Sequence, residues 1–193
     1  MSKLLIAVCL IVAVSAAQAQ KSAELKRYSE CPFGKDYPTA QVQEFEGEFD
    51  RPVTIGDQSK IIHSMDGYSI YVAYKEDEPF ANIKAEQLRA ETYDSDKQIL
   101  IEGLRSMAAN TPDLESPTPT KSESNGFEVY GVNRAKLDGN VLSVYLLLNN
   151  KTHTSTTVYL LNDDPAQRHF DTLAQFHAMR DEFLKSMLNC FKQ

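Results

Sequence analysis

The run 141–148, Val-Leu-Ser-Val-Tyr-Leu-Leu-Leu, constrains this chain more than any other segment. Read with a period of two, it is apolar on both alternating faces apart from Ser143 and Tyr145. A strand of that kind must be covered from both sides, so it belongs in the middle of a sheet with other elements packed above and below. Its neighbours are strands as well. Gly126-Phe127-Glu128-Val129-Tyr130 runs toward Leu137, and Asp138-Gly139 offers the positive φ that a tight hairpin needs. Asn149-Asn150-Lys151 then turns the chain again, and 154–161 is rich in β-branched residues. The expectation is a three-stranded antiparallel meander.

Two helices supply the cover. Ser95-Asp96-Lys97-Gln98 has the spacing of a capping box, after which Leu100, Leu104, Met107 and Ala108 share one face until Asn110 and Pro112 stop the helix. Nearer the C-terminus, Asp164-Pro165 opens a longer segment. There Phe170, Leu173, Phe176, Phe183, Met187 and Phe191 recur at helical spacing, and Cys190 shares the inward side. Upstream, the strand-like runs 60–63 and 68–74 flank Met65-Asp66-Gly67 as a hairpin would. The fold class is α+β: an antiparallel sheet ending in a meander, packed by a capped middle helix and a long C-terminal helix. Three stretches are less regular. Residues 20–58 read as an N-terminal arm, in which Phe45 and Phe49 among acidic residues mark either an edge strand or a solvated loop, with Gly47 and Pro52 against a strand. Residues 80–91 stay undecided between helix and strand. Residues 111–125, with Pro112, Pro117 and Pro119 among Ser, Thr and Glu, read as a mobile loop.

The first 19 residues direct the chain out of the cytosol. Lys3 precedes an apolar run at 4–14, followed by Ala17-Gln18-Ala19, the pattern of a secretory signal peptide. That run is about half the ~20 residues a membrane helix needs, so no transmembrane anchor is expected after processing. Cleavage leaves 193 less 19, or 174 residues, forming one domain over 20–193. Lys3 is the only charge removed, so the net charge goes from −7 to −8. An acidic chain repels phosphate backbones, which argues against nucleic acid as a partner. Periplasmic or extracellular localisation also bears on the cysteines. Cys9 leaves with the signal, and Cys31 and Cys190 remain near the two ends, placed to form a disulfide; two buried free thiols are the alternative.

Chemistry is harder to find. His63, His153, His169 and His177 are the histidines, and His177 with Asp181 has the i, i+4 spacing of metal ligands. Zinc needs further ligands, no His-Glu-x-x-His run exists, and a solvated helix face explains the pair equally well. No Gly-x-Ser-x-Gly elbow or glycine-rich phosphate loop is present. The clusters Glu76-Asp77-Glu78 and Asp163-Asp164 read as charged loops, and Asn150-Lys151-Thr152 is a formal glycosylation acceptor. No catalytic residue, cofactor or metal is assigned. Tyr68, Tyr71, Tyr74, Tyr130, Tyr145 and Tyr159 all fall on expected strands, where they suit either a binding face or ordinary sheet packing.

The order hairpin, capped helix, meander, long helix resembles the PsbP-type fold of extrinsic photosystem proteins and their bacterial relatives. The resemblance spans roughly residues 68–191. Asp138-Gly139 and His169-Phe170-Asp171-Thr172-Leu173 mark the equivalent hairpin and helix. It implies a fold, not a photosynthetic role, and no site residue comes with it. The end-to-end cysteine pair is also similar to that of small secreted bacterial proteins. The function expected is non-enzymatic binding or scaffolding outside the cytoplasm, with a protein or an envelope component as partner. The alternative is a secreted hydrolase whose site is assembled from scattered residues. A concave pocket with converging His and acidic groups would favour the hydrolase; a tyrosine-bearing sheet face or open groove would favour the binder.

Overall fold

One antiparallel sheet organises the residues that the computed structural model describes, namely Leu25, Glu30, Cys31, 39–74, 78–162 and 170–191. The first half of the chain runs β1 (Thr39–Phe45), β2 (Phe49–Ile55), β3 (Gln58–Tyr74), β4 (Glu78–Leu88) and helix α1 (Tyr93–Ala109). The second runs β5 (Thr120–Ser124), β6 (Phe127–Asn133), β7 (Val141–Asn149), β8 (Thr154–Leu161) and helix α2 (Leu173–Cys190). Strand order is β1-β3-β4-β8-β7-β6-β5, with β2 also on β3. The fold is α+β, and β6, β7 and β8 form the expected meander.

β7 is buried at every position but Val141, as its two apolar faces demand. Tyr145 and Leu147 point to one core with Val158, Leu160, Phe176 and Phe183, beneath α2. Val144, Leu146 and Leu148 point to the other, with Tyr130, Leu100 and Leu104, beneath α1. The two helices therefore lie on opposite faces of the sheet. Phe176 and Phe183 are fully buried, and each such side chain contributes about 2–3 kcal/mol of hydrophobic stabilisation. Phe183 meets Phe80 edge-on, with ring centroids 5.4 Å apart. Cys31 and Cys190 come to disulfide distance, 1.99 Å between sulfurs and 5.8 Å between Cα atoms. Among the described residues, no helix is long and apolar enough to cross a membrane.

Several elements differ from the sequence expectation, each for a local reason. Residues 39–55 of the supposed arm are two strands, both antiparallel to β3. Met65-Asp66-Gly67 is not a turn but a bulge inside one 17-residue strand. Gly67 serves close approach there, since a Cβ would stand 2.9 Å from the Ala85 carbonyl oxygen, and the Asp66 carboxylate accepts from the Gly47 amide at 2.9 Å. The real hairpin turn is Gly56-Asp57, joining β2 to β3 with Gly56 at φ +58°. The undecided stretch 80–91 is mostly β4, with Ala81, Ile83 and Ala85 buried toward α2 and Asn82, Lys84 and Glu86 on the other face.

Asp138-Gly139 does not make a tight turn, and Gly139 has no left-handed φ. Residues 134–140 form a wider connection closed by the Arg134 amide on the Leu142 carbonyl and by an Arg134–Asp138 ion pair. The stretch 111–125, expected to be structureless, contains β5 on the sheet edge and a bridge between Leu114 and Arg134. α1 starts before the expected capping box: its N-cap is Thr92, and Ser95 Oγ donates to the Thr92 carbonyl. Asp96 explains the earlier start. Buried in the first turn, it accepts from Thr92 Oγ1 and from the His63 amide. α2 starts later than expected, at Leu173, where Thr172 and Gln175 form a reciprocal capping box. Phe170 stands outside that helix, and Asp164-Pro165 and His169 lie outside the described residues.

Candidate functional site

α1 packs on β6 and β7 along one side, while the tip of the β2–β3 hairpin rises against its other side. The hairpin is held there by three contacts. The Gly56 amide donates to Ser106 Oγ at 2.8 Å, Lys60 pairs with Glu102 at 3.0 Å, and Val53 packs on Gly103. Gly103 permits that crossing, because a Cβ there would be 2.6 Å from Val53 Cγ1. Between helix, hairpin and sheet a cleft of about 370 Å³ remains.

The cleft lining is mixed. Val53, Leu100, Leu104, Met107, Val144 and Leu146 form apolar walls, and Arg51, Thr54, Ser106, Asn110, Thr157 and Tyr159 bring polar groups. A second cavity of about 280 Å³ shares Met107, Val144 and Tyr159 with the first and continues under the end of α1 toward Leu114 and Arg134. Behind Arg51, outside the cleft lining, Glu86 is fully buried and held by two cations. Arg51 grips it with Nε at 2.9 Å and Nη2 at 2.6 Å, and Lys84 Nζ stands 3.2 Å away. Burial raises the Tyr159 phenol above its ordinary value; nearby Arg51 pulls it down and Glu86 pushes it up.

Strand register extends this polar character across the sheet. One row runs Gln41, Tyr71, Asn82, Tyr159 over β1, β3, β4 and β8, and the next runs Gln43, Ser69, Lys84, Thr157. Two of the six strand tyrosines, Tyr71 and Tyr159, thus lie in one row on the cleft face, both half-buried. Three others serve packing. Tyr68 donates to Glu44, Tyr130 to Glu128, and Tyr145, pushed up to about 12 chiefly by burial, to Asn133. The side chain of Tyr74 lies outside the described residues.

The other sequence candidates do not converge. His63 Nδ1 is 2.7 Å from Asp50, and His153 stacks on Tyr93 with centroids 4.7 Å apart. His177 Nε2 stands 2.6 Å from Glu115, and Arg180 bridges Glu115 at 3.4 Å and Asp181 at 2.8 Å, so the i, i+4 pair belongs to an ion-pair network built around an arginine, which is not a metal-ligand set. Among the described residues no three His, Cys, Asp or Glu side chains gather as metal ligands. Asp163-Asp164 and Glu76-Asp77 lie outside them. Asn150, the formal glycosylation acceptor, donates through its amide to Glu128 and accepts from Tyr93 and Lys97.

Arg51, Lys84 and Glu86 went unnoticed in the sequence. The signal for two of them was there, as strict polar–apolar alternation from Ala81 to Glu86. Arg51, 35 residues from Glu86 in sequence, had no local sign. The chain matches no known protein family, no curated protein and no solved structure.

Proposed function

We propose that this is an exported, non-enzymatic binding protein of the periplasm or extracellular space, and that it holds a small component of that space in the cleft beneath α1. The observation that carries this is the cleft itself: about 370 Å³ of space lined, among the described residues, by apolar side chains, by several uncharged polar ones and by a single charged one, Arg51, a size and mixture that suit a ligand pocket. Binding is favoured over turnover because Arg51, the one charged group of that lining, is held in a two-point ion pair by Glu86 behind it, and no described carboxylate or imidazole lines the cleft. Export is supported by the leading apolar run with Ala17-Gln18-Ala19, and by a cysteine pair at the distance of a bond that oxidising compartments preserve. Kinship with the PsbP-type fold stands as a proposal about architecture alone, supported by element order from β3 to α2.

The test is gentle purification of the secreted protein from its own host, followed by native mass spectrometry. A small-molecule adduct lost on denaturation is expected. It should also be absent from Met107→Trp, which fills the cleft wall. Adduct-free protein that takes up nothing from a concentrated extract of its own compartment would overturn the proposal.

A further inference from the structure

We propose that the occupant of the cleft is an organic monoanion with an apolar chain, its head group at Arg51 and its chain under α1; this rests on the cleft being the binding site. The charge count around Arg51, the one charged side chain that the described residues bring to the cleft lining, decides the head group. Arg51 and Lys84 carry two positive charges and Glu86 one negative, so the trio has a surplus of one positive charge in a chain whose net charge is −7. Glu86 is fully buried and Lys84 stands outside the lining beside Phe45 and Phe49, so Arg51 presents that surplus to the cleft. Arg51 uses Nε and Nη2 on Glu86, and its Nη1 has no protein partner among the described residues. A guanidinium fork with one free edge suits a carboxylate. Tyr159 Oη, also without a hydrogen-bond partner among the described residues, lines the same cleft and can donate to the same anion.

The chain end follows from the walls. Beyond Arg51 the cleft is bounded by Val53, Leu104, Met107 and Val144, and it shares Met107 and Val144 with the second cavity. An apolar tail fits along Val53, Leu104, Met107 and Val144, whereas a second negative charge in this cleft would meet no further cation among the described residues of its lining.

Isothermal titration with decanoate, 1-decanol and decylamine tests this, all below their aggregation concentrations. Decanoate should bind at least about tenfold more tightly than 1-decanol, a difference of roughly 1.4 kcal/mol, and decylamine more weakly than either. Arg51→Gln leaves Glu86 paired with Lys84 and removes the surplus charge, so the preference for decanoate over decanol should fall below about threefold. Should that variant fold poorly by circular dichroism, Lys84→Gln removes the same surplus and leaves the Arg51–Glu86 pair intact. Equal binding of all three probes, or preference for the amine, would overturn the anion while leaving the cleft as the site. Binding of none would overturn the cleft and the anion together.

Discussion

The two faces of the sheet solve different problems. The face under α2 is chiefly aromatic, with Phe80, Phe170, Phe176 and Phe183 in a chain of edge-on rings, the Cys31–Cys190 pair at the end of the helix and the Glu115–Arg180–Asp181 ion pairs at its side. The face under α1 carries charge: Arg51, Lys84 and Glu86 at one place, Lys97, Lys121 and Glu128 at another. It also keeps the cleft, which is bounded by α1, by the β2–β3 hairpin and by β7 and β8. Close packing leaves no room for a ligand, and open packing gives up stabilisation. The contrast assigns stability chiefly to the α2 face and binding to the α1 face.

The largest expected effect belongs to the α2 face. Cys31→Ser opens a loop spanning 159 residues and should lower the free energy of unfolding by up to about 5 kcal/mol on the chain-entropy account. Denaturant titration with and without reductant measures it; a wild-type protein indifferent to reductant would remove the bridge from the stability of this face. Next is Phe183→Ala. It deletes a fully buried ring in contact with Phe80 and should cost about 3–5 kcal/mol, with ligand affinity unchanged in whatever fraction stays folded. A large loss of affinity at constant folded fraction would mean that the two faces are coupled.

Glu128 sharpens the comparison from the other side. Its hydrogen bonds, from Lys97 first and then Asn150, hold the carboxyl far below its ordinary value of 4.5. A depressed folded value means the stabilisation is complete above 4.5 and is lost as pH falls from there toward the folded value. Glu128→Gln should therefore cost about 2 kcal/mol at pH 7, and the gap to wild type should narrow through the acid range below 4.5. A gap that holds constant down to acid unfolding would contradict the charge-based account. The smallest effect is Gly103→Ala. Its methyl gains roughly 1 kcal/mol of helix propensity but collides with Val53, so the net loss should be about 1 kcal/mol, with the hairpin pushed outward. Faster hydrogen exchange confined to β2 and the start of β3 is the expected signature; unchanged exchange there would show that the hairpin does not lean on α1.

The meander, the central place of β7 and the existence of both helices were legible because each rests on a local pattern repeated over several residues. Where two patterns of one kind competed, the fold decided. Ser95-x-x-Gln98 and Thr172-x-x-Gln175 share the capping-box spacing, yet only the second caps a helix, since burial of Tyr93 and Asp96 draws α1 one turn further back. Met65-Asp66-Gly67 and Asp138-Gly139 both look like turns, and neither is one, because Gly67 is needed against the Ala85 carbonyl and Arg134 closes a wider connection.

By itself, then, the sequence determined the three strands of the meander and the existence of two helices, that β7 would be covered twice, and that two cysteines would stand near the ends of the chain. Periodicity and residue type are local, and these properties follow from them. Only the tertiary structure decided that β2 leans on α1, that a cleft stays open between them, and that Arg51 reaches Glu86. Those depend on contacts between residues 35 and 50 positions apart, whose free energy exists only once the strands between them have paired.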